Sequence, residues 1–306
     1  GVGSTERGRA IGIHGAGGNL GEALAPAWAA FFAAVYDWRI GFVAAGGLSL
    51  ACAALAATLP RDPVESSVTA PQPLLSSARR TVAALAVTLV GFWRNRRLRW
   101  LLAALIAAGF VYRGFLTFLS LHLASGGGGG ALAGPGGSYA MSAVLVVGVL
   151  AQRFGGEMAD RRNRERLLLA EVALLAPLLL VLAFAQGPLA VATAVAFGFV
   201  WAVTQPVANA LTASYCRPSC HGLLYGIQFA ATFAVGSFAT TFGGFLLGAG
   251  GTRLVFAGLA GVALAALGAA GAVAVLAARR RLPATAKERK PAPSLGGSPS
   301  VPAEPA

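Results

Sequence analysis

Apolar runs of about 20 residues recur along this 306-residue chain, and no other feature restricts its fold so severely. At 1.5 Å per residue, each run is long enough as a helix to cross a hydrocarbon core of roughly 30 Å. Hydrophobic residues make up 56% of the chain and charged residues 11%, far from the balance of a soluble domain. The runs show no strict period-2 alternation, and backbone groups in lipid need internal partners, so helices are expected rather than a barrel. Eight spans are predicted, at about Ala10–Val35, Ile40–Leu59, Trp100–Leu123, Ser138–Met158, Leu167–Ala185, Leu189–Ala213, Gly222–Leu247 and Leu254–Ala278. The expected fold class is therefore all-α, a polytopic membrane helix bundle.

The net charge of +13 raises the question of nucleic acid, and its distribution answers it. Basic residues fall in alternate connections: Arg7 and Arg9, then Arg61 to Arg99, Arg161 to Arg166, Arg217, and Arg279 to Lys290. The intervening connections hold only Arg39 and, at the start of the last span, Arg253. The positive-inside rule makes every basic connection cytoplasmic, with both ends of the chain inside. The charge then reads as an orientation signal and an attraction to anionic headgroups, and the expected partner is the lipid bilayer rather than nucleic acid. The segment Thr81–Trp93 is apolar but short and flanked by arginines, so it is predicted to be an interfacial helix within a cytoplasmic linker. Residues 282–306, rich in Pro, Ala and Ser, are expected to be a disordered cytoplasmic tail. The glycine run after Ser125 lacks the Lys-Ser/Thr of a phosphate loop and reads as a flexible outer connection.

An ungapped shift of 214 positions places Gly8, Gly12, Ile13 and Ala16 on Gly222, Gly226, Ile227 and Ala230. Downstream, Phe31, Arg39, Phe42 and Leu50 fall on Phe245, Arg253, Phe256 and Leu264. Alanine matches carry little weight in such a composition, but two arginines at the same helix-joining turn do. Parallel repeats of this kind build transporters from two related bundles around a central site. Four spans precede the last pair within its repeat and none precedes the first pair. The chain is therefore expected to hold the last two helices of an N-terminal bundle (1–59), a linker (60–99), a complete six-helix C-terminal bundle (100–281) and the tail. The first four helices of the first bundle are missing on this reading.

Between the fourth and fifth spans, Gly156, Asp160, Arg161 and Arg164 resemble the cytoplasmic G-x-x-x-D-R-x-G-R-R-type motif of the major facilitator superfamily. The motif sits where that family carries it, between the second and third helices of a bundle. Asn163 stands in place of the usual Gly, a residue tolerant of left-handed backbone, and Glu165 in place of a basic residue. The resemblance implies a gating lock between bundles on the cytoplasmic side; the alternative is that these arginines only set topology. On the first span, Gly12, Gly21, Ala25, Pro26, Ala29 and Ala30 match the spacing G-x8-G-x3-G-P-x2-G-G found in proton-coupled exporters of the family, with Ala for three glycines. Small residues and a proline suit a tightly packed, bending helix between bundles. Helix packing alone explains Gly12, Gly21 and Pro26 equally well.

Charges and amides inside spans mark the expected substrate and proton path. Arg113 lies near the middle of its span and is expected to attract an anion or pair with a carboxylate, with Tyr112 beside it as a hydrogen-bonding wall. On the first span the candidates are His14, Asn19 and Glu22, and Glu22 is the one carboxylate placed deep in the membrane, the leading proton carrier. A fixed Glu22–Arg113 pair is the alternative. Gln205 and Asn209 share a helix face on either side of Pro206, and His14 aligns with Gln228 in the repeat, so these amides are expected to line a central cavity. Interhelical bonding is the competing account for Asn209. Cys216, Cys220 and His221 lack a fourth ligand, so no metal site is expected.

No hydrolase triad, nucleotide loop or carboxylate cluster is present, so no catalytic residues, cofactor or enzymatic activity are expected. The resemblance implies alternating access by a monomer, with a small-molecule substrate and protons as partners. Export of a small organic or drug-like compound is the first reading and uptake of an organic anion through Arg113 the second. A multi-pass enzyme would need a catalytic cluster, and a receptor would not need the repeat. The Ala/Gly/Arg-rich composition suggests a bacterial inner membrane.

Overall fold

A computed structural model describes residues 7–58, 94–125, 134–216 and 220–281, with the side chains of 7–16 and 280–281 outside that set. The predicted interfacial helix Thr81–Trp93, the tail and most of the glycine connection lie outside the described residues. Among the described residues seven helices form and no strand occurs: α1 Arg7–Val35, α2 Trp38–Thr58, α3 Arg96–Ser125, α4 Gly136–Arg161, α5 Arg164–Phe184, α6 Gly187–Ser214 and α7 His221–Arg281. Their bounds follow the predicted spans to within a few residues.

The last two predicted spans are joined in α7, whose backbone leaves helical geometry at Gly250 and Gly251. Gly251 has φ 67° and ψ −169°, a conformation open to glycine and strained for other residues. It divides α7 into two arms. Under the 214-residue shift this break falls on Tyr36 and Asp37, the turn between α1 and α2. Six of the helices are long and apolar enough to cross a membrane; α1, with Asn19 and Glu22 in its length, is not among them.

Lipid tails are as apolar as leucine, so helices in a bilayer associate through close packing rather than through escape from water. The core lies among α3 to α7, where Phe115 stacks on Phe197 with centroids 4.2 Å apart and meets Phe256 edge-on. α3 runs along both arms of α7, α5 packs on α7 and α6, and α4 lies on α6. Glycines permit the close approaches: Gly109 faces Thr232, Gly114 faces Leu259 and Gly243 faces Phe118, all across α3 and α7. α1 leans on α4, and α2 packs mainly on α1, with Trp28 donating from Nε1 to the Gly41 carbonyl.

The α4–α6 crossing is close at Gly155. A methyl group there would lie 2.8 Å from the Val203 Cα and 2.9 Å from the Pro206 Cγ, whereas at Gly156 it would meet nothing within 4 Å. Gly155→Ala is expected to lower stability by about 1–3 kcal/mol, because backbone must move. Gly156→Ala should be neutral or slightly stabilising, since helical alanine is favoured by up to ~1 kcal/mol. Thermal unfolding in detergent distinguishes the two.

Candidate functional site

The α1–α4 contact is held by two hydrogen bonds of different kinds. Asn19 Nδ2 donates to Gln152 Oε1 at 2.7 Å, and the Ala27 backbone N–H donates to Ser142 Oγ at 2.9 Å. Pro26 sits inside α1 immediately before Ala27. A proline ring collides with the preceding turn and loosens the local ladder, which explains a main-chain donor free to reach a neighbouring helix. The face that α1 buries carries Ala23 and Ala30, not Gly21, which is exposed with open space beside it. Among the described residues Gly21 takes no part in the α1–α4 packing, which is made by alanines at helical spacing from Asn19. The side chain of His14, and position Gly12 beyond its helical backbone, lie outside the described set.

On α3, Tyr112 stacks on Trp201 of α6 with centroids 4.4 Å apart. The Arg113 guanidinium lies over the Phe233 ring of α7 at 4.7 Å. Gly236, one turn on, leaves room for it, since a methyl there would lie 2.9 Å from the Arg113 Cγ. Glu22 of α1 is exposed and forms no ion pair with Arg113. The fold thus gives Tyr112 and Arg113 one aromatic-lined setting. Trp201 and Phe233, its aromatic walls, were not singled out in the sequence, where they look like any other bulky core residues.

The amides group elsewhere. Gln228 Oε1 accepts from Thr212 Oγ1 at 2.7 Å, Gln228 Nε2 donates to Asn209 Oδ1 at 3.4 Å, and Tyr225 donates to the Asn209 carbonyl at 2.9 Å. Gln228 is only 7% exposed. Asn209 and Gln228 are therefore joined to each other between α6 and α7 rather than presented to an open face, and Gln205 is half-buried beside Pro206.

At the α4–α5 turn, Arg164 pairs with Asp160 at 3.5 Å and donates from Nε to the Ala159 carbonyl at 2.8 Å. Arg161 is exposed, and Asp160 is 81% exposed, so this pair contributes little beyond a fraction of a kcal/mol. Asn163 is extended (φ −68°, ψ 109°), not left-handed, and its side chain accepts from Arg166 N. It is the N-cap of α5, which corrects the reason for its place in the motif. Tyr215 at the end of α6 donates to Glu165, and Asn95 donates to the Tyr215 carbonyl, so the loops on this face are stitched together.

Glu171 is a second carboxylate within a predicted span, beside Glu22. It lies inside α5 and is 6% exposed, buried against neighbouring helices, whereas Glu22 is exposed. Its position five residues past the arginines, within a leucine run, was the available signal.

Cys216 and Cys220 stand outside the spans at one end, whereas Cys52 lies within α2. His221 Nε2 lies 3.1 Å from the Ala213 carbonyl, and no group of three His, Cys, Asp or Glu residues is arranged for a metal among the described residues. Burial, and then Cys220, push the Cys216 thiol up from its ordinary value. A raised thiol carries less thiolate near neutrality. Alkylation of Cys216 by iodoacetamide is expected to be slower than that of a free cysteine and to accelerate as pH rises through 9. For the α1–α4 contact, a double-mutant cycle of Asn19→Ala and Gln152→Ala should give a coupling of about 0.5–1.5 kcal/mol in detergent-solubilised protein.

Comparison with curated proteins gives no match. The sequence model of the Major Facilitator Superfamily matches residues 2–241 and 136–303, two overlapping segments that cover nearly the whole chain. With its long apolar helices, this is a multi-pass integral membrane protein. The chain belongs to the Major Facilitator Superfamily, a family of transporters that carry small solutes across membranes.

Proposed function

We propose that the protein exports a small organic, drug-like solute in exchange for protons by alternating access. Residues 1–59 close one bundle, residues 100–281 form the other, and the two rock about a site near the membrane midplane. The coincidence of the Gly250–Gly251 break with the Tyr36–Asp37 turn under the 214-residue shift supports this division. With it come eight membrane crossings, both ends cytoplasmic, a bacterial inner membrane and a monomer. The cytoplasmic Asp160, Arg161 and Arg164 act as the gate.

One observation carries the reading: Arg113, within α3, lies over the Phe233 ring, and among the described residues neither it nor Glu22 of α1 has an ion-pair partner. A carboxyl that shares its surroundings with an unneutralised cation can exchange a proton as that cation's partner changes. Substrate entering beside Arg113 changes that partner. Proton occupancy of Glu22 and solute occupancy at Arg113 are therefore linked, which is what exchange requires. Aromatic faces at Trp201 and Phe233 suit a flat apolar solute. The same Arg113 favours a second reading, uptake of an organic anion.

In proteoliposomes, an imposed proton gradient should drive solute flux in the wild type. Glu22→Gln should reduce it by roughly tenfold or more, the effect of an interaction worth ~1.4 kcal/mol. Arg113→Ala should weaken solute binding while leaving proton leak unchanged. Wild-type flux in both variants removes these residues from the path, and gradient-driven accumulation of an organic anion selects the second reading.

A further inference from the structure

Glu171 is a titratable group that neither the Arg113 setting nor the amide cluster uses. It is the eighth residue of α5, on the stripe of Leu168, Val172, Leu175 and Leu179 that forms the core, and it is 94% buried by its 6% exposure. Neither carboxyl oxygen has a hydrogen-bond partner. The polar side chain that acts on it is Thr204 of α6, whose hydroxyl proton is given to the Val200 carbonyl at 2.9 Å. While that bond holds, the hydroxyl accepts toward the carboxyl.

No charge compensates it. On α5 the charged residues are Arg164, Glu165 and Arg166, about 8–10 Å away along the axis at 1.5 Å per residue. Arg164 is held by Asp160 and the Ala159 carbonyl, and Glu165 accepts from Tyr215. α6 carries no acidic, basic, histidine, cysteine or tyrosine side chain from Gly187 to Ser214. On α7 the described titratable side chains are His221, Tyr225, Arg253 and Arg279, and on α4 they are Tyr139, Arg153, Glu157, Asp160 and Arg161. None of these bonds to Glu171. Arg153 pairs with Glu157, Arg253 lies over Phe184, and Tyr225 donates to Asn209. An ionised carboxylate with no donor and no counter-ion is the costliest way to fill such a position, and a neutral carboxyl the least costly.

We propose that Glu171 is a proton-binding site inside the α5–α6–α7 packing, neutral while these helices are closed and discharged when water reaches it between α5 and α6. On discharge the carboxyl O–H bond breaks, its electron pair stays on the oxygen and the proton passes to the entering water. The neutral carboxyl is itself a donor, and the Thr204 oxygen is an acceptor on the facing helix, so a small approach of α5 to α6 closes a bond that leaves the Thr204–Val200 bond in place. The site uses neither Glu22 nor Arg113.

Infrared spectra near neutral pH should contain the carbonyl stretch of a neutral carboxyl that Glu171→Gln removes and Glu22→Gln leaves. Dicyclohexylcarbodiimide, an apolar reagent selective for protonated carboxyls, should modify Glu171 in the wild-type protein, a test that needs no variant to fold. A neutral-carboxyl band retained in full by Glu171→Gln, or Glu171 unmodified at neutral pH, overturns the proposal. Loss of the band and modification of Glu171 sustain it, whatever the flux of Glu22→Gln.

Discussion

In a bilayer the backbone must satisfy its own hydrogen bonds, and side chains gain little by leaving lipid for one another. Both facts press on this chain in the same direction. The first makes every long apolar segment a helix. The second means that these helices hold together only where their surfaces come close, so the fold rests on positions where a side chain is missing. Gly109, Gly114 and Gly243 let α3 lie between the two arms of α7, and Gly155 lets α4 cross α6 against main chain. Bulky residues such as Phe115, Phe197 and Phe256 then fill what the glycines leave open.

Polar contacts supply direction rather than bulk cohesion. α1 meets α4 through an amide pair and through a main-chain N–H freed beside Pro26, and among the described residues no ion pair fixes that contact. Between α6 and α7 the amides of Asn209 and Gln228 engage each other, with Thr212 and Tyr225 completing the set. Both arrangements hold helices in register with bonds that are individually modest. An α1–α4 contact built this way can be remade at another register without exposing an unpaired charge, which is the property that rocking bundles need.

The helices were legible because their signal is crude and repeated: length, apolarity and the arginines that bound them. The break in α7 was legible too, since "GAGGT" offers glycine where the chain must turn. What the sequence hid was which member of a pair of similar residues does the work. Gly155 and Gly156 are neighbours, yet only Gly155 faces another helix; Gly21 matches a family spacing, yet Ala23 and Ala30 lie on the buried face. Facing depends on a rotation of about 100° per residue about the helix axis, and a motif spacing does not fix that rotation without its partner. Glu171 was missed for a related reason. It lies four residues inside the span predicted from Leu167, and only the rotation of the helix shows that it turns inward among leucines.

Gly236 bears on how charge is positioned in this membrane domain. The aliphatic stem of Arg113 rests against a residue with no side chain, and its guanidinium reaches the Phe233 ring from there. On the same face of α7, one turn to either side of that glycine, stand Thr232 and Thr240, either of which carries atoms into the same space. A slide of α7 past α3 by one turn would therefore evict the guanidinium from its shelf. Mechanical displacement of one helix and relocation of a positive charge are, at this point of the molecule, the same event.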